Sequence, residues 1–186
     1  RLMLEKCLKN NNLIAAVDIN TRFTSDNPHW NYINYDSAYV GEHWEDKKVD
    51  LVFFDTVHVK EQVLTETYYW WDHIKEGGLA IYHDTSWHGY RHHARHRAAG
   101  KQPGSSRQGF DRYGGIDWDT PDRAVETFFN VNLNPPERDI NNNNFVDIYE
   151  DEYIKVEQNW AFLGLTIVKK KKHFDYKDNQ NIDWEH

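Results

Sequence analysis

Two short polar stretches could do chemistry: Asp55 with His58, and His83 beside Asp84. Carboxylates and imidazoles are the side chains that hold divalent cations and move protons near neutral pH. Carboxylate oxygens are hard ligands suited to Mg²⁺, and a histidine in the set softens it toward Mn²⁺, Fe²⁺ or Zn²⁺. An imidazole can also take the proton from a hydroxyl, which makes the oxygen a usable nucleophile. The plainer alternative is that His58 caps the helix after it and Asp84 caps a turn. Both pairs follow apolar runs, so the elements that carry them decide whether they meet.

Those elements form one unit over residues 49–84, VDLVFFDTVHVKEQVLTETYYWWDHIKEGGLAIYHD. Val49–Phe54 is rich in Val and Phe and predicts a strand buried on both faces. Val63, Leu64, Trp70, Trp71 and Ile74 recur at helical spacing among Glu, Lys and Gln, which predicts an amphipathic helix. Gly77-Gly78 predicts its stop, and 79–82 a second buried strand. Two parallel strands joined by a crossover helix make a βαβ unit, and in open sheets of this kind ligands sit beyond the carboxyl ends of the strands. Asp55, His58, His83 and Asp84 then occupy adjacent strand tips.

Upstream, Leu2, Leu4, Cys7 and Leu8 give a helical stripe that stops at three asparagines. Residues 13–17 predict a short strand tipped by Asp18. A carboxylate there can take two hydrogen bonds from ribose hydroxyls, although a turn-forming Asp suits the spacing equally. Residues 30–35 predict a further strand, with Asp36-Ser37 at its end. Strands alternating with helices or loops at this spacing belong to an α/β sheet.

Beyond Asp84 the pattern loosens. His88, His92 and His96 stand four residues apart, a spacing that could chelate a transition metal on a helix. No acidic ligand accompanies them, and Arg91, Arg95 and Arg97 disfavour a cation, so 85–97 reads as a surface or substrate-facing lid segment. Its arginines could meet an anionic substrate or a partner chain. Residues 98–119 and 131–150 read as loop insertions. Between them Thr120 is a fitting N-cap, with Pro121 at the first helical position and Ala124, Val125, Phe128 and Phe129 as the buried stripe. Residues 153–156 and 162–168 predict a closing hairpin. The lysines from 169 to 172 read as a solvated strand end, and 171–186 as a polar tail.

At 186 residues the expectation is one α/β domain over 1–170. A net charge of −8 argues against a nucleic-acid coat or a polybasic membrane surface. No apolar run approaches the roughly 20 residues of a membrane helix. The single Cys7 excludes an internal disulfide and fits a reducing, cytoplasmic setting. The chain opens on Arg1 in what reads as the middle or end of a helix, so a preceding segment is expected.

The order of these elements resembles the class I S-adenosylmethionine-dependent methyltransferases, an α/β fold with a Rossmann-like, mostly parallel sheet, flanking helices and a C-terminal antiparallel hairpin. VDLVFFDTVH is similar to the DLVFIDGDH-type stretch of small-molecule O-methyltransferases, including the family-24 group and the macrolide-sugar methyltransferases. KEGGLAIYHD resembles their K-P-G-G-strand-x-D stretch, and EYIKVEQNWAFLGLTIVKK their final hairpin. The resemblance covers most of 1–97 and 120–170. It implies S-adenosylmethionine as cofactor, with Asp18 holding its ribose, Asp36 and Ser37 at the adenine edge, and Asp55 also beside it. It implies Mg²⁺ or another divalent metal at Asp55, His83 and Asp84, and His58 as general base through a D-x-x-H spacing. Relatives usually carry a carboxylate where His83 stands and a glycine where Thr56 stands. Their glycine-rich loop after the first strand is absent from these residues, so either an upstream segment supplies it or the cofactor site is lost.

Two functions follow. One is methyl transfer to a hydroxyl of a small molecule, a sugar among the candidates, whose pocket 85–119 and 131–150 would build. The other is an inactive methyltransferase-like domain used as a structural or interaction module, in a homo-oligomer or with an assembly partner. A nicotinamide-dependent dehydrogenase is disfavoured by the closing hairpin.

Overall fold

The computed structural model describes residues 14–19, 26, 28–45, 48–56, 59–85, 121–133, 143–160 and 164–174. The chain divides into two compact units, Arg1–Glu45 and Asp46–His186.

In the first unit, strands β1 (Ile14–Val17) and β2 (Trp30–Ile33) pair in parallel, with Ile14 opposite Trp30 and Val17 opposite Ile33. Helix α1 (Ser37–Glu42) follows, and the Asp36 carboxylate caps it by accepting from the Tyr39 backbone N–H at 3.0 Å. A short oxygen-bearing side chain at this position satisfies an amide that the helix leaves without a partner.

The second unit holds β3 (Val49–Phe54), α2 (Lys60–Trp70), a tight 3₁₀ turn (Trp71–His73), β4 (Ile74–His83), α3 (Pro121–Phe129), β5 (Val146–Glu150), β6 (Ile154–Asn159) and β7 (Leu165–Lys170). Its described strands form one sheet in the order β3-β4-β7-β6-β5. β3 and β4 run parallel and are joined through α2, as the βαβ reading requires. The other three pairings are antiparallel, so this sheet is mixed and mostly antiparallel rather than mostly parallel. The difference has two sources: β1 and β2 pair in a two-stranded sheet of their own, so this sheet keeps a single parallel pairing, and β5, within the segment expected to be a loop, adds an antiparallel one. As the outermost strand it needs few apolar residues, and its exposed Asp147, Tyr149 and Glu150 disguise it.

The helices cover one face of this sheet. Phe54 and Tyr82 stack there with ring centroids 4.7 Å apart, and Phe129 meets Trp71 edge-on at 4.8 Å. Val63, Leu64 and Trp70 of α2 are buried as their spacing predicts, whereas Trp71 and Ile74, also buried, belong to the 3₁₀ turn and to β4 rather than to the helix. The expectation that β3 is buried on both faces does not hold. Side chains alternate along a strand, and the alternate face carries Leu51 and Phe53, which remain 38% and 48% exposed. β4 also begins before Gly77-Gly78 instead of after it. Val49 lies opposite Ile74 but Leu51 lies opposite Leu79, so the glycines absorb a slip in register. Gly77 has φ +81, and a Cβ on Gly78 would lie 2.9 Å from the Asp50 carbonyl oxygen. Only glycine fits both demands.

One lysine of the supposedly solvated run is part of the core. Lys170 is 1% exposed, donates from Nζ to the Trp71 carbonyl at 2.8 Å and lies 4.9 Å from the centre of the Trp71 ring. A buried ammonium is tolerated only with such partners. Among the described residues no helix is long and apolar enough to cross a membrane.

Candidate functional site

The site grows out of the β3–β4 pairing. Phe54 and Tyr82 are the last pair of the β3–β4 register, so Asp55, just past the end of β3, and His83, the last residue of β4, follow side by side at the carboxyl edge. His83 closes the ladder on its other side opposite Leu165 of β7. Asp84 then turns out of the strand with φ +56, a left-handed conformation that aspartate tolerates better than most residues. The result brings three ligand-type side chains together: one donor atom from each of Asp55, His83 and Asp84 lies within 4.8 Å of the others.

His83 stands at the centre. Its Nδ1 is 3.3 Å from an oxygen of Asp55 and 3.3 Å from an oxygen of Asp84. That nitrogen is buried, yet it makes no hydrogen bond to any described residue. The ring is also placed by Phe53, whose centroid is 6.2 Å away. Asp84 is largely shielded at 14% side-chain exposure, whereas Asp55 is open to solvent at 53%. One side of the cluster is therefore accessible to a ligand.

These residues fit a divalent cation. Metal–ligand distances of about 2.1 Å in octahedral geometry set neighbouring donors about 3 Å apart, close to the spacing around His83. Two carboxylates supply compensating charge, and the imidazole nitrogen shifts the preference toward Mn²⁺, Fe²⁺ or Zn²⁺ relative to an all-oxygen set.

Three other expected site residues, Asp18, Asp36 and Ser37, belong to or adjoin β1 and α1. Asp18 is exposed at the tip of β1, with its backbone N–H bonded to the Ile33 carbonyl at 3.1 Å. Asp36 caps α1, and Ser37 is that helix's first residue. All three belong to the first compact unit, and Asp55 to the second. His58, Thr120 and the His88–His96 group with its arginines lie outside the described residues. An aromatic ladder beside Asp36 escaped the sequence reading. The Tyr39 ring is 4.6 Å from that of Tyr35 and 4.1 Å from that of His43, and both tyrosines are about half exposed. The four-residue spacing of 35, 39 and 43 was the available signal.

A family profile described as a methyltransferase domain matches residues 2–85, the stretch that runs through β4 and Asp84. Over it the resemblance to the class I S-adenosylmethionine-dependent methyltransferases holds. No curated protein matches the chain. Solved structures of MycE methyltransferase from the mycinamycin biosynthetic pathway do. The complex with Mg and SAH is 16% identical with a TM-score of 0.42, covering 86% of this chain and 38% of that one. The complex with Mg, SAH and mycinamycin VI is 17% identical with a TM-score of 0.43, covering 86% and 36%. The chain thus spans under two fifths of the length of these structures.

Proposed function

We propose that this protein transfers a methyl group from S-adenosylmethionine to a hydroxyl of a small molecule, sugars included, with a divalent cation held by Asp55, His83 and Asp84. The observation that carries the reading is the convergence of these three side chains at the carboxyl edge of a parallel strand pair, inside the stretch 2–85 that matches a methyltransferase domain. A divalent cation in such a set supplies Lewis acidity, which lowers the pKa of an acceptor hydroxyl. The chain's own part is charge and placement. Asp55 and Asp84 hold negative charge at the rim, and the Nδ1 of His83 lies between them. His58 would take the acceptor's proton on its imidazole, Asp18 would accept hydrogen bonds from ribose hydroxyls, and Asp36 with Ser37 would border the adenine, as in the family these residues resemble.

A second reading is a methyltransferase-like domain that serves assembly without catalysis. Leu51 and Phe53, exposed together along β3, favour it. Calorimetric titration of S-adenosylmethionine and of Mn²⁺ into the full-length protein separates the two. Micromolar cofactor binding with a saturable Mn²⁺ site supports the enzyme; no binding at millimolar cofactor overturns it in favour of the assembly module.

A further inference from the structure

Directly after Asp84 the chain is tied down by a buried polar trio drawn from three strands' ends. Thr85 and Gln158 are 1% exposed and Thr166 is fully buried. The Thr166 hydroxyl donates to the Thr85 hydroxyl at 2.7 Å. The Gln158 side-chain N–H donates to the Thr85 carbonyl at 2.8 Å. Gln158 and Thr166 face each other across the β6–β7 ladder, and Thr166 also lies opposite Tyr82 of β4.

Asp84 is therefore held from both sides. The ladder pair of His83 with Leu165 fixes the chain before it, and the two bonds to Thr85 fix the chain after it. Between them the backbone takes φ +56. A left-handed non-glycine residue persists where its surroundings over-determine it, and such strain gathers at functional sites. An apolar trio would fill the same space with no polar group to desolvate. Instead the Gln158 side-chain carbonyl is buried without a hydrogen bond to any described residue. The arrangement accepts a cost in the core and secures one backbone turn.

We propose that Thr85, Gln158 and Thr166 are positioning residues for the cation site. By anchoring Thr85 they keep Asp84 in its left-handed turn, and so keep its carboxylate at ligand spacing from His83. This rests on the reading of Asp55, His83 and Asp84 as a cation site.

The test is Mn²⁺ titration of the full chain, followed by the electron paramagnetic resonance of free Mn²⁺, alongside the metal-free melting temperature. Thr166→Val and Gln158→Met each remove one bond to Thr85 at nearly constant volume. Both should weaken Mn²⁺ binding by about ten- to a hundredfold, as loss of a group that orients a ligand does. Thr166→Ser, which keeps the hydroxyl, should bind as wild type. Val156→Ala, a cavity in the same strand β6 opposite Val168 that removes no bond to Thr85, should lower the melting temperature and leave Mn²⁺ affinity unchanged. Should Thr166→Val fail to fold, Gln158→Met carries the comparison. Wild-type affinity in both bond-deleting variants overturns the proposal, as does an equal loss in Val156→Ala. Wild-type protein that binds no Mn²⁺ overturns the cation reading itself and this proposal with it, so the two failures are distinct.

Discussion

Asp55→Asn should damage cation binding while sparing the fold. The Asp55 side chain is 53% exposed, and its carboxylate meets His83 Nδ1 at 3.3 Å. An exposed pair of this kind contributes at most about 1 kcal/mol. Metal-free Asp55→Asn should then melt within about 4 °C of wild type for a chain of this size. Mn²⁺ at one hundred times the wild-type Kd stabilises the wild-type protein by about 2.7 kcal/mol through mass action. That corresponds to a rise of about 5–11 °C in Tm. If the variant binds about tenfold more weakly, the same Mn²⁺ concentration leaves about 1.4 kcal/mol; at a hundredfold it leaves about 0.4 kcal/mol. Scanning calorimetry with and without Mn²⁺ reads both numbers. A Mn²⁺-induced rise equal to that of wild type refutes Asp55 as a ligand. A metal-free loss well beyond about 1 kcal/mol would show that its carboxylate supports the fold by more than this ion pair supplies.

Three further outcomes follow from individual residues. His83→Asp makes the donor set all oxygen and should shift metal preference from Mn²⁺ toward Mg²⁺ in a competition titration, with an unchanged ratio counting against His83 as a ligand. Gly78→Ala would place a methyl 2.8 Å from Ile74 Cγ2 and 2.9 Å from the carbonyls of Asp50 and Lys75. It should cost about 2 kcal/mol in urea unfolding, and an unchanged midpoint would contradict the tight crossing of β3 and β4. Burial holds the Tyr82 phenol above the ordinary tyrosine range. The unfolded chain releases this proton above about pH 10 while the folded chain keeps it. Stability should accordingly fall with rising pH from there, by about 1.4 kcal/mol per pH unit. Tyr82→Phe should flatten that fall, and an equally steep alkaline loss in the variant would refute the assignment.

The central unit was legible because its signals are local. An apolar run, a helical period and a second apolar run specify strand, helix and strand, and a crossover of that length makes the strands parallel. Parallel strands end on the same edge, so Asp55 and His83-Asp84 had to emerge together. Geometry alone turned that expectation into distances of 3.3 Å around His83 Nδ1. The aromatic stripe of α3 was equally plain, and Ala124, Val125, Phe128 and Phe129 are all buried.

What escaped the sequence depends on partners far along the chain. Lys170 looks like its neighbours in a lysine run, and only the fold places it beneath Trp71 while Lys169 remains exposed. β5 carries little hydrophobic pattern because an edge strand is held chiefly by its ladder to β6. Leu51 and Phe53 look like core residues, but which face of a sheet is covered is settled by what packs on it. Thr85 finds its hydrogen-bond partners 73 and 81 residues later, at Gln158 and Thr166. Local preference chooses the elements; burial and pairing between distant segments choose which of their polar groups are held in place, and the left-handed turn at Asp84 arises from that second kind of constraint.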